Sequence, residues 1–287
     1  GVCERGRPDH SRMSRPEHEG PPELFYNEEE AAKYARSSRM QEIQEQLSNR
    51  ALELLTLPED ETCLLLDLGC GSGLSGECVS EAGHEWIGLD ISKAMLDVCR
   101  GRECDGDVVL GDMGCPLPFR AGVFDGALSI SALQWLCNAD TSDADPRRRL
   151  NAFFQSLYQC LRRGAKAVMQ WYPENPQQIE MVTQAAMRCG FTGGLLVDYP
   201  HSTKAKKYYM VLFAGHVGGM QPMPQALGTE GDDDAAAFGG DRARNKRRHE
   251  GPSKKDWVVH KKARQRMQGR EVRPDTKYTA RKRRPKF

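Results

Sequence analysis

Leu64-Leu65-Leu66-Asp67-Leu68-Gly69-Cys70-Gly71-Ser72-Gly73 is the stretch that decides the fold. An apolar run carrying one acidic residue passes directly into three alternating glycines, and Leu74–Ala82 continues with helical spacing. Counted from Cys63, the run lacks polar alternation, which is the pattern of a parallel strand buried on both faces. Glycines behind such a strand permit a tight turn and let a ligand approach the backbone without meeting a Cβ atom. The helix that follows offers its positive end to an anionic group.

Strand and helix patterns alternate downstream of this turn. Glu85–Asp90 reads as a strand, Lys93–Arg100 as a helix capped by Ser92, Asp107–Leu110 as a short strand and Val123–Ser131 as a longer one. Pro146 opens a helix to Leu161, Ala165–Trp171 is a strand, Pro176–Cys189 a helix ended by Gly190, and Tyr208–Ala214 a last strand. This alternation predicts an α/β fold, a Rossmann-like, doubly wound and mostly parallel sheet. Upstream, Ala31, Tyr34 and Ala35, then Met40, Ile43, Leu47, Ala51, Leu54 and Leu55, give helical spacing over 23–57, with Pro58 stopping a second helix. The expected organisation is a disordered arm over 1–22, a domain over 23–214, a flexible linker over 215–240 and a basic tail over 241–287.

Charge is distributed unevenly along the 287 residues. The net charge is +1, but residues 241–287 hold 19 Lys or Arg against 5 Asp or Glu, so the tail carries +14 and the remainder −13. An acidic body with a very basic tail fits a chain that touches nucleic acid. The clusters at 242–248 and 281–286 read as nuclear-localisation or RNA-binding segments, set against a merely solvated tail. No stretch approaches the roughly 18 apolar residues of a membrane span. None of the ten cysteines pairs as C-x-x-C, so no zinc site is expected, and free thiols fit better than disulfides.

Gly71-x-Gly73-x-x-Gly76 also matches a dinucleotide fingerprint, which by itself is a weak signal. Three carboxylates argue otherwise. Asp67 precedes the first glycine of the loop Gly69, Gly71, Gly73; Asp90, with Ile91 beside it, ends the second strand where ribose hydroxyls would sit; Asp112-Met113 follows the third, suited to an adenine amino group and ring face. This combination resembles class I methyltransferases, which implies S-adenosylmethionine as the cofactor.

The acceptor side falls at Ser129–Trp135, where the fourth strand ends. Ser131, Gln134 and Trp135, with Tyr172 after the next strand, are the candidates there. No Asn-Pro-Pro-Tyr or Asp-Pro-Pro-Tyr motif for exocyclic amines is present, and Cys137 lies beyond Trp135, out of place for attack on a pyrimidine. A site without an evident general base suits an atom that is already nucleophilic. Guanine N7 has an exposed lone pair and no proton to lose, so catalysis needs mainly positioning. Trp135, Trp171 and Tyr172 are candidates to stack a base, with core or rim packing as the competing role.

Longer stretches carry a narrower resemblance. Arg15–His18 with Pro21–Tyr26, the glycine loop through Gly76, Gly88–Ser92, Gly111–Gly114, Ser129–Ala139, Tyr172–Asn175, Val197–Pro200 and Gly269–Thr279 resemble the eukaryotic small-subunit rRNA guanine-N7 methyltransferases, the family encoded in the human Williams–Beuren region. Residues 215–250 depart from it. The resemblance implies methylation of one guanine N7 in 18S rRNA on a pre-40S particle, in the nucleus and nucleolus with the cytoplasm as a further location. It also implies a small zinc-ribbon activator protein that adds a strand to the sheet, with Asp107–Leu110 as the edge it covers. Two readings compete: a ribosome-assembly factor whose scaffold role outweighs catalysis, and a small-molecule methyltransferase, which has no use for a +14 tail.

Overall fold

Three helices lead into the sheet; proline opens the first, and side-chain caps set where the second and third begin. The computed structural model describes residues 15–58, 60–139, 145–203, 205–215 and 223–228, with Lys262 and Pro274. After the short helix α1 (Pro22–Phe25), Asn27 Oδ1 accepts the N–H groups of Glu29 and Glu30 at 3.0 and 3.1 Å and starts α2 (Glu28–Arg36). Glutamates fill the first turn of α2 and Lys33 and Arg36 the last, as the helix dipole favours. Ser37 Oγ accepts the Met40 N–H and opens α3 (Ser38–Leu55). Where two helices were expected over 23–57 there are three, because apolar spacing reports the buried face while caps decide where the backbone turns.

Seven strands follow: β1 (Leu64–Leu68), β2 (Glu85–Asp90), β3 (Asp107–Leu110), β4 (Phe124–Ile130), β5 (Leu161–Trp171), β6 (Phe191–Asp198) and β7 (Lys207–Ala214). Helices α4 (Leu74–Glu81), α5 (Lys93–Gly101), α6 (Pro146–Cys160) and α7 (Pro176–Arg188) lie between them. The sheet order is β3-β2-β1-β4-β5-β7-β6; only the β5–β7 and β7–β6 pairs are antiparallel. Alternate side chains of β1 enter opposite cores. Leu65 packs with Leu47, Ala51, Leu54 and Leu55 of α3, while Leu66 and Leu68 share a cluster with Leu150, Phe153 and Phe154 of α6. The apolar run, broken only by Asp67, is explained by that two-sided burial. Strand order reverses between β1 and β4, which opens a crevice at their carboxyl ends.

β5 begins at Leu161, four residues before the expected strand start, and larger differences from the sequence reading concern β6, residues 15–22 and the linker. β6 was not expected: Gly193-Gly194 places two residues of low strand propensity inside it. Gly193 has φ +118°, and a Cβ there would lie 2.1 Å from the Val211 carbonyl oxygen, so glycine is what lets β6 lie against β7. Residues 15–22 do not belong to a disordered arm. Arg15 donates to the carbonyls of Tyr172 and Pro173 at 3.0 and 3.4 Å, and Glu17 and Pro22 are buried. Nor is the expected linker free throughout. Arg50 pairs with the buried Asp198 and donates to the Gln225 carbonyl, and Asp198 Oδ1 accepts the Leu227 N–H at 2.8 Å. Proline and polar residues marked both stretches as unstructured, but their partners lie 29 to 175 residues away in the chain. Chain packing separates Gly1–Phe238 from Gly239–Phe287, and both basic clusters of the tail lie outside the described residues.

Candidate active site

A cavity of about 400 Å³ opens at the crevice between β1 and β4. Its floor is the glycine turn. Gly69, Gly71 and Gly73 all have positive φ, and a Cβ on Gly69 would meet that of Ala132 at 2.3 Å. Gly76, the last glycine of the fingerprint, abuts the Trp86 ring, where a Cβ would stand 2.2 Å away. It serves helix-on-strand packing.

Asp90 ties the floor to the second strand. One carboxylate oxygen accepts the Gly71 N–H and the other the Ser92 N–H, both at 2.8 Å. Burial raises its pKa and these backbone bonds oppose the rise. Each oxygen keeps a lone pair for a ligand hydroxyl. Ser92 caps α5 as expected, accepting the Met95 N–H, and also donates to the Tyr26 carbonyl at 2.7 Å. The strand end is thereby joined to the N-terminal helices.

Asp112 and Met113 line the opposite wall. Asp112 accepts the Gly114 N–H at 2.8 Å and pairs with Arg149 of α6 at 2.9 Å. Arg149 was missed from the sequence, since nothing in the spacing of α6 marks one arginine among three. Asp67 and Gly73 stand behind the cavity rather than on it, while Gly69, Gly71, Asp90 and Ile91 are exposed to it. Asp67 is fully buried; one oxygen accepts from Ser75 Oγ at 2.6 Å and the other has no partner among the described residues.

Burial pushes the Asp67 carboxyl up to about 7, and the Ser75 bond offsets this only partly. The folded pKa therefore lies above the unfolded one, so the folded state holds the proton more tightly. Stability from this group falls as pH rises from about 4 to about 7 and is level above that. Asp67→Asn is expected to gain about 2–3 kcal/mol on the wild type between pH 5 and pH 8. Urea unfolding at both pH values checks this; a difference between variant and wild type that does not move with pH would refute it.

The acceptor side converges from β4, β5 and the N-terminal helices. Ser131 adopts a left-handed conformation at φ +58° and donates to Gln170 Oε1 at 2.8 Å, and Gln134 Nε2 donates to the Ser131 carbonyl at 2.7 Å. Gln134 Oε1 and Ser72 Oγ, both from buried residues on the cavity wall, have no partner among the described residues. Trp135 and Tyr172 line the cavity, whereas Trp171 is fully buried in the core. Trp135 packs against Phe25 and Tyr26 with ring centroids 6.0 and 5.9 Å apart. Cys137 is buried and does not line the cavity. Pro16, Glu17, Tyr26, Tyr34 and Met40 also line the wall, and none of them was assigned to the site from the sequence. Burial holds the Tyr26 hydroxyl up at about 12 and raises Tyr34 as well, so both stay protonated donors.

A family model described as a methyltransferase domain matches residues 66–169, and one described as a methyltransferase involved in Williams-Beuren syndrome matches residues 212–285. The 18S rRNA (guanine-N(7))-methyltransferase of Mus musculus is 55% identical over 282 residues, covering 96% of this chain and 99% of its own. The chain belongs to the 18S rRNA (guanine-N(7))-methyltransferase family. The 18S rRNA (guanine(1575)-N(7))-methyltransferase of Saccharomyces cerevisiae, another relative, is 48% identical over 278 residues, covering 96% of this chain and 100% of its own. Among solved structures, a Haemonchus contortus phosphoethanolamine N-methyltransferase 2 in complex with S-adenosyl-L-methionine aligns at a TM-score of 0.51 and 17% identity, over 67% of this chain and 58% of that one. A Haloferax volcanii putative methyltransferase in complex with the Trm112 activator aligns at 0.48 and 19%, over 65% and 98%. At these identities the likeness concerns the fold alone, and the family shares that fold with methyltransferases of unrelated substrates.

Proposed function

We propose that this chain transfers a methyl group from S-adenosylmethionine to N7 of a guanine in 18S rRNA during small-subunit biogenesis. The observation that carries the reading is one cavity at the β1/β4 crevice, which gathers Asp90, Asp112 and the glycine turn on one side and Gln134, Trp135 and Tyr172 on the other. Unpartnered Ser72 Oγ and Gln134 Oε1 on its wall are what a polar ligand would satisfy. When bound, S-adenosylmethionine supplies an electrophilic methyl on a sulfonium: N7 gives its lone pair to the carbon, the carbon–sulfur bond breaks with its electrons left on sulfur, and no proton is released.

The chain's own task is then to bind, orient and exclude water. Asp90 would accept ribose hydroxyls and Asp112 with Met113 would hold adenine, the pair with Arg149 keeping that carboxylate fixed. Gly69 and Gly71 let the cofactor lie against the backbone. Tyr26, Trp135 and Tyr172 wall the acceptor side, and the Lys207 ammonium stands 5.8 Å from the Tyr172 ring centroid. No side chain need act as a base.

Partner and location belong to the same reading. β3 is an edge strand of the sheet, and Leu110 at its end is 56% exposed, which suits a small zinc-ribbon activator adding a strand there. The +14 tail would follow RNA phosphates on the pre-40S particle and direct the chain to the nucleus and nucleolus. Mass spectrometry of 18S rRNA from cells lacking this chain is the test. One 7-methylguanine is expected to disappear and to return with the wild type but not with Asp90→Ala. An unchanged modification map would sink the assignment.

A further inference from the structure

Glu17 sits in the turn Pro16–His18, is 9% exposed and lines the cavity, yet its carboxylate has no hydrogen bond or ion pair among the described residues. Cations near it are committed elsewhere. Arg15 donates to the carbonyls of Tyr172 and Pro173, His18 contacts Glu174 at 3.3 Å, and Arg149 pairs with Asp112. The other carboxylates on the wall differ from it, since Asp90 is held by backbone N–H groups and Asp112 by Arg149 and Gly114. The carboxylate of this mostly buried side chain meets no donor among the described residues, so it can take a ligand that brings N–H groups to it.

We propose that Glu17 accepts hydrogen bonds from N1–H and the 2-amino group of the acceptor guanine, selecting that base and stabilising the charge it acquires. This rests on reading the cavity as the guanine-N7 site. Guanine alone among the four RNA bases presents two adjacent N–H donors on one edge, and the two oxygens of a carboxylate match them. N7 lies on the opposite side of the ring, so this grip leaves the nucleophile free. Methylation at N7 turns a neutral ring into a cation and makes N1–H a stronger donor. A carboxylate at that edge therefore binds the transition state more tightly than the ground state. Tyr26 and Trp135, on the same wall and packed on each other, offer aromatic surface for the ring itself.

Glu17→Gln keeps the shape and places an amide where one acceptor stood. Three readouts on the full-length protein test the role: calorimetric affinity for S-adenosylhomocysteine, the ratio of GMP to IMP affinity by saturation-transfer NMR on the protein loaded with it, and methylation of small-subunit particles from cells lacking this chain. IMP lacks only the 2-amino group. The variant should keep S-adenosylhomocysteine affinity within about twofold, lose about tenfold GMP preference, and methylate at least about 30-fold more slowly. Affinity for S-adenosylhomocysteine that drops tenfold, with the GMP preference intact, would assign the carboxylate to the cofactor and overturn the proposal. Equal binding of GMP and IMP by the wild type would overturn it too. A wild type that prefers GMP through Glu17 but leaves the particles unmethylated would instead refute the reaction and leave the base site standing.

Discussion

Replacing Asp90 with alanine is expected to weaken S-adenosylmethionine binding by about 100-fold, or about 3 kcal/mol. Its carboxylate does two jobs at once. It holds the Gly71 and Ser92 N–H groups at 2.8 Å, and its remaining lone pairs face the cavity where ribose hydroxyls would bind. Alanine removes the ligand bonds and also frees the glycine turn, so the loop must be ordered anew by the ligand. Asp90→Asn separates these effects, because its single carbonyl oxygen can keep only one of the two backbone bonds. It should fall between wild type and alanine in calorimetric titration. A folded alanine variant that binds S-adenosylmethionine as the wild type does would remove Asp90 from the site.

Gly193→Ala is expected to cost about 3–5 kcal/mol of stability, lowering the melting temperature by roughly 10 °C. At φ +118° the backbone disfavours any side chain, and a Cβ would sit 2.1 Å from the Val211 carbonyl oxygen. Strands β6 and β7 would have to separate, in a part of the sheet where Tyr209, Val211 and Phe213 are buried against α3. Gly194→Ala is the control. The nearest atom to a Cβ there is 4.0 Å away and φ is not positive, so its effect should be small. Calorimetric scans that show equal melting temperatures for the two variants would refute the strain at 193.

By itself the sequence determined the parts of this protein whose cause is local. A strand buried on both faces is mostly apolar, a turn with positive φ favours glycine, and a helix start favours a side-chain cap. Leu64–Leu68, Gly69–Gly73 and Ser92 were therefore legible one residue at a time, as were the carboxylate Asp90 that ends β2 and Asp112 just beyond β3. Strand β6 was hidden because Gly193 is dictated by Val211 across the ladder, a contact that spacing does not encode. What only the tertiary structure decided is the enclosure of the site. Arg15 reaches the backbone of Tyr172 and Pro173, and Tyr26 meets both Ser92 and Trp135, so a polar, proline-rich segment becomes the wall of a cavity built on the sheet. Arg149 found Asp112 across 37 residues in the same way. Burial, unlike helical spacing or a glycine turn, is a property of the assembled chain, and it alone set Glu17 apart from the exposed glutamates around it.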